Sequence, residues 1–293
     1  MLIFFILICP LKAENHDPVL PSHINQLSQI LNLEKDTLSD IMFSRSQIIK
    51  VTHLRLLALS ENNLLIFLDL QEGDYGYIIQ TSILNSSNQG KSWQQSGFFD
   101  GRLFELFVLD QKYLWAISQW EIEASSPSLY HSKDYGQSWE KIDIEDKPIR
   151  EEASQRFKDR LGDHPSFGEV YADQLFFKNP KEGSLRYYLE RPVKKNSFYL
   201  ISHKAGKIWQ LVKKGELKKF KKHPPKNYAN FSYHYNKTDK AFFSKQAFDF
   251  RNIWKLVENE KNYTILQKNK SQQWQVRTII QKYFPSPNES HLK

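Results

Sequence analysis

The hydrophobic pattern of the chain changes near residue 50. From there to about residue 280, short apolar runs such as LRLLALS, NLLIFLDL and LFELFVL alternate with polar segments rich in Asn, Ser and Gly. Runs this short, separated by turn-forming residues, are typical of antiparallel β-strands. The sequence therefore predicts an all-β domain over residues 49–282.

The flanking segments follow other patterns. In residues 14–48, Ile24, Leu27 and Ile30 recur at helical spacing, so the N-terminal segment is predicted to be partly helical. Beyond residue 282 the strand pattern ends, and residues 283–293 are expected to form a flexible tail.

Residues 1–13 begin with the apolar run MLIFFILIC and end in a small residue, a pattern typical of a secretory signal peptide cut after Ala13. The signal is weak, because no basic residue precedes the apolar run. It predicts an extracytoplasmic protein, either periplasmic or secreted. Cys9 as a lipid anchor, and a buried first strand, are the alternatives. No apolar run reaches the roughly 20 residues that a membrane-spanning helix needs, so no transmembrane span is expected.

A short motif recurs after every third apolar run. Residues 132–139 (SKDYGQSW) have the pattern S-x-D-x-G-x-x-W, and residues 86–93 (SSNQGKSW) have Asn in place of Asp. Residues 202–209 (SHKAGKIW) carry Lys204 at the acidic position, and residues 267–274 retain only the Asn and the Trp. The positions of the first three copies predicted to shape a turn are Ser86, Asn88, Gly90, Trp93, Ser132, Asp134, Gly136, Trp139, Ser202, Gly206 and Trp209.

Each position of the motif has a structural explanation at a hairpin between a third and a fourth strand. The Asp134 carboxylate can accept backbone N–H bonds within the turn, and Gly136 tolerates a positive φ. Trp139 then enters the next strand and buries a large ring. Lys204 cannot accept such bonds, so the third turn is expected to be looser. The motif therefore predicts a fold and no chemistry.

These turns resemble the Asp-box, or bacterial neuraminidase repeat, of the sialidase-like β-propeller superfamily. With its flanking strands the resemblance covers roughly residues 50–280. It implies a small β-propeller of four to five four-stranded antiparallel blades, or more. The same repeat occurs in sialidases, other glycosidases and receptors, so the resemblance implies a fold and leaves the function open.

Four blades can be counted from the apolar runs. A fifth would require strands within residues 149–165 and 216–235. The resemblance also implies that a strand near Ser46–Thr52 closes the ring by pairing with the last blade, which would hide the open sheet edges. The predicted blades are 50–98, 99–148, 165–215 and 228–280.

A sialidase needs an arginine cluster for the substrate carboxylate, and a tyrosine paired with a glutamate as nucleophile. The Arg-Ile-Pro motif of the family is absent from this sequence. The remaining catalytic candidates are Arg186, Tyr188 and Glu190, which alternate in SLRYYLERP and would share one face of a strand. The alternative is an ordinary polar strand face.

The net charge of +8 is unevenly distributed. Residues 1–150 hold 12 basic and 19 acidic side chains, whereas residues 151–293 hold 29 and 14. An excess of this kind predicts an anion-binding patch, for example for a lipid surface or an acidic glycan. The alternative is a solvated loop between the third and fourth blades. The lysines of this patch are Lys213, Lys214, Lys218, Lys219, Lys221 and Lys222.

The chain has one cysteine, no metal-ligand spacing among its nine histidines and no phosphate-binding glycine loop, so no cofactor is expected. We therefore predict an exported, non-catalytic β-propeller that binds a protein, a glycan or an anionic surface. The alternative is a divergent sialidase-type glycoside hydrolase. Nucleic acid is not expected as a partner. A protein that binds nucleic acid would be expected in the cytoplasm, and a cytoplasmic location would require the first 13 residues to be retained.

Overall fold

The computed structural model describes most of the chain from residue 49 onward. The predicted signal segment with Cys9, the N-terminal segment 14–48, Glu190 and residues 285–293 lie outside the described residues. The described residues are 49–72, 78–120, 126–144, 147–152, 155, 170–189, 197–232, 253–260, 262–281 and 283–284.

The prediction of an all-β fold is confirmed, because the described residues form four antiparallel sheets. Sheet 1 consists, in spatial order, of β17 (Tyr283–Phe284), β1 (Ile49–Ala58), β2 (Leu64–Glu72), β3 (Ile78–Ser86) and β4 (Gln94–Asp100). Sheet 2 consists of β13 (Tyr228–Ser232), β5 (Arg102–Leu109), β6 (Tyr113–Gln119), β7 (Ser128–Ser132) and β8 (Glu140–Ile142). Sheet 3 consists of β12 (Trp209–Val212), β11 (Ser197–Ser202), β10 (Gly183–Leu189) and β9 (Val170–Phe177), and sheet 4 of β14 (Trp254–Glu258), β15 (Asn262–Lys268) and β16 (Trp274–Gln281).

Two helical segments lie between the strands of the described chain. Residues 147–152 are helical, so this part of the stretch 149–165 does not supply the strands of a fifth blade. Lys214–Phe220, which we call the lysine helix, follows β12. These residues are therefore helical and do not form the solvated loop expected as an alternative at this position.

The number of strands per sheet differs from the four predicted. β13, placed by the sequence analysis at the start of a fourth blade, instead pairs with β5, where Tyr228 lies opposite Leu109. This leaves sheet 4 with three described strands. β17 comes from the predicted tail and pairs with β1, where Phe284 lies opposite Ile49. Strand partners are chosen by tertiary contacts, which the apolar pattern does not encode.

The chain divides into two compact units, each with its own apolar core. Sheets 1 and 4 build the first unit, whose core includes Leu56, Ile66 and Trp254. Sheets 2 and 3 build the second, where Trp115 stacks on Phe177 at a centroid distance of 3.8 Å. Each such fully buried large apolar side chain contributes about 1.5–3 kcal/mol through its removal from water.

Sheets 1, 2 and 3 share a β-bulge that the sequence does not reveal. In each of these sheets, one strand has one extra residue relative to its neighbour. The extra residue is Thr52 in β1 relative to β2 and Phe104 in β5 relative to β6, and in β9 it lies at Gln174–Leu175 relative to β10. Bulges bend a strand and redirect the side chains that follow. The bulge in sheet 3 positions the site described next.

Candidate functional site

The motif residues are placed at equivalent turns of sheets 1, 2 and 3. Each turn connects the third strand of the sheet to the fourth, and its tryptophan lies just before or at the start of that fourth strand. The two central residues of every turn have positive φ, at Gln89 (63°) and Gly90 (71°), Tyr135 (63°) and Gly136 (78°), and Ala205 (56°) and Gly206 (89°).

The turn at 132–139 is held by a closed set of hydrogen bonds. The Ser132 hydroxyl donates to Asp134 Oδ1 at 2.8 Å and accepts the N–H of Gly136 at 2.9 Å. The N–H and hydroxyl of Ser138 both donate to the Asp134 carboxylate, at 3.0 and 2.6 Å. Burial alone would raise the pKa of Asp134, but these hydrogen bonds outweigh it and lower the pKa.

The turn at 202–209 keeps its shape without a carboxylate. The Ser202 hydroxyl accepts the N–H of Gly206 at 3.0 Å, and the Lys207 N–H donates to the Lys204 carbonyl at 3.0 Å. Its central residues have positive φ, as in the other two turns. The turn therefore retains the same backbone conformation, although a looser turn was expected. The looser turn is seen only as missing side-chain hydrogen bonds.

The tryptophans of the motif are used inside the fold. Trp93 is 4% exposed and donates from Nε1 to Thr278 Oγ1 at 3.0 Å. Trp139 donates to the Gly136 carbonyl at 3.2 Å, and the ring of Trp209 lies edge-on to Phe177. Motif residues therefore shape the sheet corners.

A polar and aromatic face of sheet 3 is the strongest candidate site. It consists of Tyr171, Asp173, Arg186, Tyr188 and Tyr199, which we call the tyrosine face, and all five are half-buried. The strand register places Arg186 opposite both Asp173 and Tyr199, and Tyr188 opposite Tyr171. The opposite side of the sheet is packed in the apolar core of the second unit.

An ion pair and two stacked rings form the centre of this face. Arg186 Nε donates to Asp173 Oδ1 at 2.7 Å, and Arg186 Nη2 donates to the other carboxylate oxygen. The Arg186 guanidinium lies 5.3 Å from the ring centroid of Tyr188, which stacks on Tyr171 at 5.3 Å and 18°. The side chains of Arg186 and Asp173 are 21% and 15% exposed, so the pair is reachable from solvent.

The electrostatics of the face follow from these contacts. The hydrogen bonds from Arg186 to Asp173 raise the pKa of the guanidinium further above its already high usual value, so the ion pair keeps its positive partner. Burial, together with the nearby Asp173 carboxylate, raises the pKa of Tyr188 to about 12. Tyr188 is therefore a neutral hydrogen-bonding and stacking group at physiological pH.

The bulge in β9 determines which side chains reach this face. Tyr171 and Asp173 lie on the tyrosine face. Leu175 and Phe177, which are also odd-numbered, are instead fully buried in the core. In a regular strand all four would share one side. Gln174 absorbs the extra residue with a φ of 54°, a left-handed conformation that is uncommon for a residue other than glycine.

Three side chains stabilise the bulge through hydrogen bonds to its backbone. The Leu175 N–H donates to Glu105 Oε2 at 2.9 Å, and Asn230 Nδ2 donates to the Leu175 carbonyl at 2.9 Å. Lys221 Nζ donates to the Gln174 carbonyl at 3.2 Å. Glu105 is 2% exposed, and burial raises its pKa to about 7. Burial also lowers the pKa of Lys221.

The sequence-predicted catalytic candidates are brought together only in part. Arg186 and Tyr188 lie on one face, but Glu190 lies outside the described residues. Sequence reasoning missed Asp173, although it interrupts the apolar run VYADQLFF, because its orientation depends on the bulge. It missed Glu105 because nothing in the sequence brings β5 close to β9.

The predicted lysine patch is divided by the fold. Lys221 Nζ donates to the Gln174 carbonyl and lies 5.5 Å from the Phe176 ring centroid, so this lysine is engaged with β9. The exposed members of the patch are Lys213, Lys214, Lys218, Lys219 and Lys222.

A second arginine–carboxylate pair lies in the first unit. Arg55 donates to Asp69 through Nη1 at 2.8 Å and Nη2 at 2.5 Å, and Thr81 Oγ1 donates to Asp69 Oδ1 at 2.8 Å. The side chains of Arg55 and Asp69 are 2% and 0% exposed. This pair is sealed inside the fold and is no candidate for ligand binding.

In the part of the chain that the structure describes, no group of three His, Cys, Asp or Glu side chains is arranged to hold a metal ion. No helix in that same part is long and apolar enough to cross a membrane.

No protein-family model matches the chain, and no curated protein matches it. Matching solved structures include a glycosyl hydrolase from Bacteroides ovatus, with a TM-score of 0.31 and 9% identity over 83% of this chain and 88% of that one. A Trypanosoma rangeli sialidase has a TM-score of 0.28 and 9% identity over 76% of this chain and 30% of its own. A GH43 β-1,3-galactosidase has a TM-score of 0.29 and 10% identity, with coverages of 81% and 43%. Likenesses this weak carry no argument about function.

Proposed function

We propose that the protein is a non-catalytic glycan-binding module whose ligand lies on the tyrosine face of sheet 3. The observation that carries the proposal is the partly exposed Arg186–Asp173 pair beside the stacked rings of Tyr171 and Tyr188. Aromatic side chains provide an apolar platform, and a few fixed polar groups beside them orient a ligand.

A sugar ring matches both halves of this surface. Its C–H groups present an apolar face to Tyr188, and its hydroxyls can donate to Asp173 and accept from Arg186. Because the ion pair holds both side chains in one orientation, little conformational entropy is lost when a ligand binds. The high pKa of Tyr188 keeps its hydroxyl protonated, so it can donate as well as accept.

An array of neutral and acidic oligosaccharides tests the proposal, with hits quantified by isothermal titration calorimetry. We expect Tyr188→Ala to weaken binding at least tenfold and Tyr188→Phe to retain most of it, because the phenyl ring preserves stacking. Tyr135→Ala is the matched control, since Tyr135 is an exposed tyrosine in the turn between β7 and β8, outside the face. Absence of any hit, or equal binding by Tyr188→Ala, would contradict the proposal.

A divergent glycoside hydrolase is the second candidate, and Glu105 favours it. A carboxyl group with a pKa near 7 beside an ion-paired carboxylate resembles the acid and base of a glycosidase. However, Glu105 is 2% exposed and accepts the Leu175 N–H, so it is committed to the bulge. Tyr188 is also poorly suited as a nucleophile, because its pKa is raised and a nucleophile needs the opposite shift.

Fluorogenic sialosides and galactosides distinguish the two candidates. A binding module produces no turnover above background with the purified protein. Turnover that disappears in Glu105→Gln, while glycan binding remains, would establish the hydrolase and overturn the first proposal.

We also infer a β-propeller and export, both from the sequence. Three sheets with the same turn and the same bulge support blades of one repeat. The apolar residues 1–13 support cleavage after Ala13. Mass spectrometry of the mature N-terminus tests export, because a chain that retains Met1 in an extracytoplasmic fraction contradicts cleavage.

A further inference from the structure

More than half of the excess positive charge of residues 151–293 is concentrated in one short segment. Residues 202–226 contain nine lysines, no arginine and one glutamate, a net charge of +8. The whole chain also carries +8, so the remaining residues sum to zero. A concentration of this kind creates a local positive potential.

The lysine helix presents this charge outward. Its buried residue is Leu217, and the ring of Phe220 lies edge-on to Phe176 at 6.3 Å, so the apolar side is fixed on the sheet. Glu216 accepts the N–H of Lys213 at 2.8 Å, which commits the single glutamate to the helix start. The exposed lysines of the segment, which we call the lysine surface, are Lys204, Lys207, Lys213, Lys214, Lys218, Lys219, Lys222 and Lys226.

Most of the lysine surface is electrically uncompensated. Within the described part of the chain, Lys207 is paired with Glu140 at 2.7 Å, but no ion pair joins Lys214, Lys218 or Lys219 to a carboxylate. Holding several uncompensated lysines close together costs free energy through mutual repulsion. An external polyanion would relieve that repulsion.

An exposed apolar residue belongs to the same segment. Ile208 is 52% exposed and follows Lys207 in the third turn. This turn lies beside the lysine helix, because the ring of His203 is 6.5 Å from that of Phe220. The surface therefore combines a broad positive charge with one aliphatic side chain free to enter an apolar layer.

We propose that the lysine surface docks the protein peripherally on a membrane rich in anionic lipids. Lysine is a compact, flexible charge without the planar fork that gives arginine bidentate recognition, and it suits a diffuse charged surface. Exposed Ile208 adds a contact that a lipid interface accommodates and a hydrated polysaccharide or nucleic acid does not. This proposal does not depend on glycan binding by the tyrosine face.

Vesicle flotation with the full chain tests the proposal. We expect binding to vesicles of phosphatidylcholine with phosphatidylglycerol, no binding to phosphatidylcholine alone, and release in high salt. Replacing Lys214, Lys218, Lys219 and Lys222 together by Gln should weaken binding by roughly fivefold per lysine. Replacing the same four residues by Arg should retain binding, and Ile208→Ser should give a smaller loss.

The matched control replaces four exposed lysines outside the surface by Gln, namely Lys91, Lys147, Lys255 and Lys270. An equal loss of binding in this control would show a generic charge effect and overturn the proposal. Tighter binding to heparin or to DNA than to the anionic vesicles at equal salt would overturn it as well, as would equal binding to neutral vesicles.

Discussion

The two arginine–carboxylate pairs use the same chemistry in different surroundings. Arg55 and Asp69 are at most 2% exposed, and Thr81 fills a further acceptor position of the carboxylate. Arg186 and Asp173 are 21% and 15% exposed and lie beside stacked tyrosines. The sealed pair can stabilise only its own sheet. The open pair remains accessible from solvent, and this difference is the reason why we propose a binding role for that pair alone.

The supporting structure differs as well. The open pair depends on the β9 bulge, which Glu105, Asn230 and Lys221 hold from behind. A left-handed Gln174 and a buried carboxyl group both cost stability. Costs of this kind are commonly concentrated at functional sites, which agrees with assigning the binding role to sheet 3.

The largest expected effect separates the pairs by stability. Arg55→Met removes the guanidinium from the buried Asp69 carboxylate and leaves the His53 imidazole, 3.7 Å from Oδ2, as a basic group beside it, so the free energy of unfolding should fall by about 3–5 kcal/mol. Urea denaturation measures this loss in the free energy of unfolding. A loss below about 1 kcal/mol would show that the pair is solvated and would break the comparison.

The next effect concerns the bulge beneath the open pair. Because the folded-state pKa of Glu105, about 7, exceeds its usual 4.5, wild type should lose stability as pH rises from about 4.5 through 7, by at most about 3 kcal/mol. Glu105→Gln should remove this slope and be relatively more stable at pH 8 than at pH 5. Urea titrations at both pH values measure it, with the exposed Glu61→Gln as control. An unchanged slope in Glu105→Gln would contradict the assignment.

The same substitution in the open pair should act mainly on binding. Arg186→Met should cost only about 1 kcal/mol of stability, because water reaches the Asp173 carboxylate that is left. Glycan affinity should fall at least tenfold in calorimetry. A stability loss equal to that of Arg55→Met, with binding unchanged, would reverse the roles of the two pairs.

The smallest expected effect is a change in stability at the turn 202–209 of sheet 3. Lys204→Asp supplies the acceptor that the third turn lacks and should stabilise the fold by about 0.5–1 kcal/mol, as measured by thermal unfolding. Glycan binding should not change, because the turn is not part of the tyrosine face. Altered affinity would show that the face and the turn are coupled.

Part of this structure could be predicted from the sequence. The apolar runs and the turn motif carry local information, and they placed the strands and the sheet corners of sheets 1 to 3 well. β13 could not be assigned to sheet 2, because its pairing with β5 is non-local. The site was found only through Arg186 and Tyr188, since the bulge that turns Asp173 toward them has no local signal at Gln174.

Side-chain NMR of the arginine Nε–H groups tests the central claim most directly. Titration of ¹⁵N-labelled protein with the strongest oligosaccharide from the array should shift the Arg186 signal in a saturable manner and leave the Arg55 signal in place. A shift at Arg55 with none at Arg186 would contradict the assignment of the ligand site to the open pair.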